Sequence, residues 1–173
     1  MRNKNQLLYT PEQRKIRDTS VWTVIQGVLA PLQFLVFLVS ITLVIQFLLT
    51  GEGYEIANLS ILIKTGFLLL IMATGCIWEK VVFGKYLFAE AFFWEDVFSM
   101  LVIALHLAYV YALFNELLAP QSLMTLALCA YVAYFINAAQ FLWKLRKARK
   151  EYEALQLKTT SNSSDIYSNG YAS

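Results

Sequence analysis

Three carboxylates flank one short stretch of this sequence: Glu79 before it, Glu95 and Asp96 at its far end. The stretch between, Val81 to Trp94, reads Val-Val-Phe-Gly-Lys-Tyr-Leu-Phe-Ala-Glu-Ala-Phe-Phe-Trp, far too apolar for a solvated loop. It is expected to re-enter the bilayer surface or to pack over the mouth of a helical bundle. Carboxylates crowded at such a low-dielectric entrance cannot all be ionised, so one holds a proton that it can deliver at neutral pH. The plainer account pairs them with Lys80, Lys85 and the neighbouring helix ends.

Further polar residues lie within apolar runs. Gln26, Gln33 and Ser40 recur at seven-residue spacing and so share a helix face. Asn137 and Gln140 are three apart and neighbours on another helix. His106 is the single histidine, eleven residues after Glu95 and on nearly the same face. About 16 Å of helix separates those two, too far for direct proton exchange. If they share a site, they touch different parts of a large substrate. Interhelical hydrogen bonding is the bland role for all of these groups, although an ionisable side chain inside a membrane points to function. Lys64 is expected to snorkel outward beside Glu52 or Glu55.

These residues need helices to position them, and the composition says which kind. Of 173 residues, 58 % are hydrophobic and 15 % charged, the balance of an integral membrane protein rather than a soluble domain. The expected fold is all-α, with four transmembrane helices: about Ser20 to Thr50, Leu59 to Val82, Asp96 to Leu118, and from Pro120 to Trp143. Each can cross about 30 Å of hydrocarbon at 1.5 Å per residue. The chain divides into a segment 1–19, a membrane domain 20–150 and a tail 151–173. The Ser-, Asn- and Thr-rich end from about Lys158 reads as disordered. The late start of the first apolar run, near Val21, argues against a cleaved signal peptide.

Charge orients the spans. Arg2, Lys4, Arg14, Lys15 and Arg17 precede the first, Lys80 and Lys85 sit between the second and third, and Lys144, Arg146, Lys147, Arg149 and Lys150 follow the fourth. The opposite side carries Glu52, Glu55 and Glu116 and no lysine or arginine in its loops. The positive-inside rule then places both termini in the cytoplasm. Trp22, Trp78, Trp94 and Trp143 fall near that boundary as an aromatic belt. The formal charge of +2 reflects anchoring to anionic lipid headgroups and does not indicate nucleic acid. Cys76 and Cys129 lie within apolar runs, so neither a disulfide framework nor a metal site is expected.

Several polar-bearing strings are more specific than hydropathy. They are Tyr9–Arg14 (Tyr-Thr-Pro-Glu-Gln-Arg), Ser20–Phe37, Gly51–Glu55 (Gly-Glu-Gly-Tyr-Glu), Gly75–Lys80 (Gly-Cys-Ile-Trp-Glu-Lys), Phe83–Ala89, Ala91–Met100 and Tyr134–Phe141. Through them the chain, from about Tyr9 to Arg149, resembles the 3-vinyl bacteriochlorophyllide hydratase family of bacteriochlorophyll biosynthesis. The resemblance implies a lyase of the inner or intracytoplasmic membrane. It would hydrate the 3-vinyl group of chlorophyllide a or 3-vinyl-bacteriochlorophyllide to a 3-(1-hydroxyethyl) group, without a cofactor. Its partners would be the pigment, membrane lipid and other pigment-biosynthesis enzymes. For that chemistry Glu95 or Glu79 is expected to be the general acid, with Asp96 orienting or deprotonating water. His106, Gln26, Gln33, Asn137, Gln140, Trp78 and Trp94 are the expected substrate contacts, His106 as a candidate axial ligand of the substrate's magnesium. The rival reading is a tetrapyrrole-binding or assembly protein without catalysis, which would need His106 and the glutamines but not the carboxylates.

Overall fold

In the computed structural model, which describes the backbone of residues 8–170 and side chains through Leu157, the chain is helical. Helix α1 (Pro11–Thr19) begins at Thr10, whose hydroxyl accepts from the Gln13 backbone while the Gln13 side chain accepts from the Thr10 N–H. That reciprocal cap, with Pro11 in the first turn, fixes a short helix that hydropathy alone does not register. Helices α2 (Val21–Thr50), α3 (Tyr54–Phe83), α4 (Phe93–Phe114) and α5 (Pro120–Gly170) follow. Each of these four contains a stretch long and apolar enough to cross a membrane.

The boundaries differ from the sequence expectation where backbone chemistry decides them. Gly51 and Gly53, at φ of 75° and 84°, take the left-handed conformation that closes α2 and opens α3. The second span therefore starts at Tyr54 rather than Leu59. Gly84, at φ 79°, ends α3 in the same way. Pro31 lies within α2, which continues helical through it. Helix α5 extends to Gly170, past Lys158, where composition points to a disordered tail. Its ion pairs Lys147–Glu151 and Arg149–Glu153 follow the i,i+4 spacing of a solvated helix.

The four long helices form two antiparallel hairpins, α2–α3 and α4–α5, each closely paired and meeting the other less extensively. The inward stripe of α2 is Gln33, Phe37, Ser40, Val44 and Phe47, at alternating steps of four and three. In α5 the corresponding stripe includes Met124, Ala127, Tyr131, Tyr134 and Asn137. Outward residues such as Val28, Leu35, Ile63, Leu101 and Phe135 are large, apolar and exposed, as lipid-facing positions should be.

Contacts define one end of the bundle. Tyr9 stacks on Phe83, Phe92 stacks on Phe141, and the Arg14 guanidinium lies over the Tyr152 ring. The N-terminal helix, the α3–α4 loop and the later part of α5 thus meet there, as an even number of crossings requires. Burial pushes the Tyr9 phenol above its ordinary range, opposed by the neighbouring Arg17 guanidinium. The loop packs over the bundle mouth, with Ala89, Ala91 and Phe92 buried.

Candidate active site

The loop residues Gly84 to Phe92 bring two of the three carboxylates together. Phe88 has a left-handed backbone, φ 57°, which is strained for a residue with a side chain. From that turn the Phe88 N–H donates to Asp96 Oδ2 at 2.8 Å and the next N–H, of Ala89, donates to Glu79 Oε2 at 3.4 Å. Successive backbone N–H groups in such a turn form a small anion-binding nest. Glu79 and Asp96 are both buried, and this one turn of the loop engages both carboxyls. Two carboxyls brought this close in a buried place favour sharing one proton over carrying two like charges. Such a pair can serve as an acid beside a base.

Glu95, although adjacent in sequence, is differently engaged. Lys144 of α5 donates to Glu95 Oε2. The Glu95 carbonyl accepts from Asn137 Nδ2 at 2.9 Å and from Ser99 Oγ at 2.9 Å, and Ser99 Oγ lies 3.2 Å from Asn137 Oδ1. In the ion pair the Glu95 carboxylate is the acceptor, whereas the hydrogen bonds of the described residues give Glu79 and Asp96 only loop N–H donors. The sequence offers no periodic signal for the Lys144 contact, because its partner is 49 positions away.

Phe92 roofs the cluster. Its ring lies 5.7 Å from those of Trp78 and Phe141 and 5.9 Å from Phe83, and Lys144 Nζ is 5.1 Å from its centre. Trp78 also donates its indole N–H to Thr23 Oγ1 at 2.9 Å, tying α3 to α2. Trp94, grouped with the site by sequence, is 70 % exposed and packs only against Phe93 among the ring contacts of the described residues. Gln26 reaches Thr74 Oγ1 at 2.7 Å and the Ile71 carbonyl at 3.4 Å, so it joins α2 to α3. Gln140 is half-buried with Oε1 unpaired.

Deeper in the bundle lies a second polar group. His106, Gln33 and Lys64 are buried there. The outward snorkelling expected for Lys64 is incorrect: the side chain is 0 % exposed, with Nζ 3.5 Å from the centre of the Tyr134 ring. The reason is rotational. Lys64 is nine residues from Glu55, half a turn out of phase, and it shares the inward face of Ala57, Ile61 and Leu68. Phase along α3, rather than distance from its end, was the sequence signal for this position. Ser40 bonds Tyr131 Oη and Ser60 Oγ, the latter at 2.7 Å, and Tyr109 bonds Asn58 across α4 and α3, so several polar groups at this level serve as ties between helices.

The fold and this site define a multi-pass helical membrane protein with a buried carboxyl pair beneath an aromatic loop. A family model described as 2-vinyl bacteriochlorophyllide hydratase (BCHF) matches residues 9–147. The 2-vinyl bacteriochlorophyllide hydratase of Cereibacter sphaeroides is 64 % identical over 150 residues, covering 86 % of this chain and 92 % of the relative. The Rhodobacter capsulatus protein of the same name is 64 % identical over 143 residues, 82 % of each chain. No solved structure matches significantly. This chain belongs to the 2-vinyl bacteriochlorophyllide hydratase family.

Proposed function

We infer that the chain adds water across the vinyl group of chlorophyllide a or 3-vinyl-bacteriochlorophyllide, with Glu79 and Asp96 carrying the proton transfers. The substituent numbered 2 in the family description is the one numbered 3 in systematic macrocycle numbering. What carries the reading is the Glu79–Asp96 pair in a chain of this family: two buried carboxyls held by successive loop N–H groups.

The chemistry balances with these two groups. Protonated Glu79 gives its proton to the terminal vinyl carbon, and the π pair forms the new C–H bond. The resulting cation lies on the inner carbon and spreads into the macrocycle. Water attacks that carbon while Asp96 takes a proton from it, leaving a 1-hydroxyethyl group. Glu79 is then ionised and Asp96 protonated, and proton transfer between the two carboxyls restores the starting state. Glu95 is a positioning residue in this scheme, locking the start of α4 to Lys144 and Asn137. The site opens toward the cytoplasmic face of an inner or intracytoplasmic membrane, the side on which the positive-inside rule places the basic residues around it.

Membranes containing the chain, incubated with chlorophyllide a, should yield a pigment heavier by one water, with absorption shifted to the blue as vinyl conjugation is lost. Replacing Glu79 by Gln should lower the rate by about 10²–10⁴, the usual contribution of a positioned acid, while pigment binding persists. Binding without conversion by the unaltered chain would favour a non-catalytic pigment carrier. Full turnover by Glu79→Gln would exclude Glu79 as the acid.

A further inference from the structure

The acid pair leaves a second group of buried polar atoms without employment. At mid-bundle, Lys64 of α3 and His106 of α4 converge near Tyr131 and Tyr134 of α5, and Gln33 lies on the inward stripe of α2 one turn from Phe37, whose ring meets that of Tyr134. Lys64 Nζ is 5.8 Å from the centre of the Tyr131 ring, and the His106 ring is 5.8 Å from the same ring. All four membrane-crossing helices contribute. Three polar atoms here have no hydrogen-bond partner: Gln33 Oε1, Lys64 Nζ and His106 Nε2. Each belongs to a residue at least 98 % buried. A bundle built only for stability would not bury a lysine that meets aromatic faces but no hydrogen-bond acceptor, because an apolar side chain of similar shape would serve better.

The histidine is oriented for a specific task. Its Nδ1 lies 2.8 Å from the Val102 carbonyl, which can only accept, so Nδ1 carries the hydrogen. In the neutral ring this leaves Nε2 with a free lone pair pointing away from its own helix, the arrangement found in metal-ligating imidazoles. Lys64 Nζ supplies donors close by. Together the cluster offers one lone pair to a Lewis acid and one donor to a carbonyl oxygen.

Its distance from the carboxylates suits a ligand that reaches both. Ten residues separate Asp96 from His106, about 15 Å at 1.5 Å per residue, and the His106 side chain leans back toward Val102 by about one turn of 5.4 Å. The remaining span, about 10 Å at that rise, is of the order needed to reach from a carboxyl at a chlorin's vinyl group to a ligand of its central metal, with the ketone of the fused fifth ring lying beyond. A flat pigment entering the less extensive seam between the α2–α3 and α4–α5 hairpins would meet the acid pair at one end and this cluster at the other.

Building on the hydration reading, we propose that Lys64 and His106, supported by Gln33, form a deep subsite for the far part of the pigment. His106 Nε2 takes the central magnesium and Lys64 Nζ takes the ring ketone. The subsite fixes which peripheral group lies at the carboxylates, so the vinyl end is presented to Glu79. Lys64 is thus a specificity-determining residue that contacts the substrate far from the reacting bond.

The test measures binding in full-length protein carrying Glu79→Gln, so that turnover does not intrude. The probes are magnesium chlorophyllide a, the same pigment without metal, and the magnesium pigment with its ring ketone reduced to an alcohol. The Glu79→Gln protein should bind the magnesium ketone at least about tenfold tighter than either analogue, a difference on the order of one good polar contact. Adding His106→Leu should erase the preference for magnesium together with the absorption shift of axial ligation. Should His106→Leu fold poorly, His106→Gly with added imidazole should restore both. Adding Lys64→Met should erase the preference for the ketone while leaving thermal stability equal or higher, and Lys64→Gln, which keeps a donor, should recover part of that preference. Metal and ketone preferences that survive in folded His106→Leu and Lys64→Met overturn the proposal, and conversion by the unaltered chain would then leave the hydration reading standing. Both preferences lost as expected, with no conversion by the unaltered chain under any lipid condition, would support the subsite and overturn the hydration reading instead.

Discussion

Glu79, Glu95 and Asp96 are chemically alike, and their surroundings separate them. Glu79 and Asp96 each take an N–H from the same loop turn, whereas Glu95 is held by Lys144. Two groups acting as one unit lose function together. Asp96→Asn should therefore cost about as much rate as Glu79→Gln, and the double variant little more than either alone. Independent, multiplying losses in single-turnover assays would show that the pair does not work as a unit. Glu95→Gln should lower the rate by roughly tenfold, well below the 10²–10⁴ expected of a proton donor. Lys144→Met should destabilise the fold by about 1–3 kcal/mol, because it leaves the Glu95 carboxylate in a largely buried place without its partner. Thermal unfolding in a single detergent would read that difference.

At the scale of elements, the helices were legible and the contacts between them only partly so. Seven-residue spacing of Gln26, Gln33 and Ser40 marked the inward face of α2, and the eleven-residue step from Glu95 to His106 marked that of α4. Periodicity reports which face is buried, because it is set within one helix. It is silent on which residue of another helix lies opposite, so the Lys144–Glu95 and Gln26–Thr74 contacts had no signal. Lys64 was misread because closeness to acidic residues in sequence outweighed its phase on the helix. The α1 cap was written in Thr10-Pro-Glu-Gln13 and went unread beside the stronger hydropathy. The apolar loop was legible as a cover, though the backbone turn at Phe88 that aims two N–H groups was not, since nothing in an aromatic side chain announces a positive φ. Phe92→Ala should reveal the loop's weight. Losing a ring buried among Trp78, Phe83 and Phe141 should cost about 3–5 kcal/mol. It should also admit water to Glu79 and Asp96 and depress the rate in protein that remains folded. Unchanged stability would mean that the loop contributes little to closing the mouth.

On the scale of the whole molecule, one end of the bundle gathers α1, the loop over the acid pair and the charged stretch of α5, while the other carries the α2–α3 and α4–α5 turns. Which end faces the cytoplasm determines where pigment and water reach the carboxylates. The acid-pair end holds Lys80, in the last turn of α3, and Lys85 and adjoins the basic runs, while the opposite turns hold Glu52 and Glu116. Translocating a cluster of basic residues is disfavoured during insertion, so the acid-pair end should remain cytoplasmic. Single cysteines can read this directly once Cys76 and Cys129 are replaced by alanine. Glu52→Cys and Lys85→Cys both place an accessible thiol at exposed positions on opposite ends. A membrane-impermeant maleimide added to intact spheroplasts should label Glu52→Cys and spare Lys85→Cys, and inside-out vesicles should give the reverse. The opposite pattern would place the acid pair on the far side of the membrane, and the pigment would then have to reach it from there.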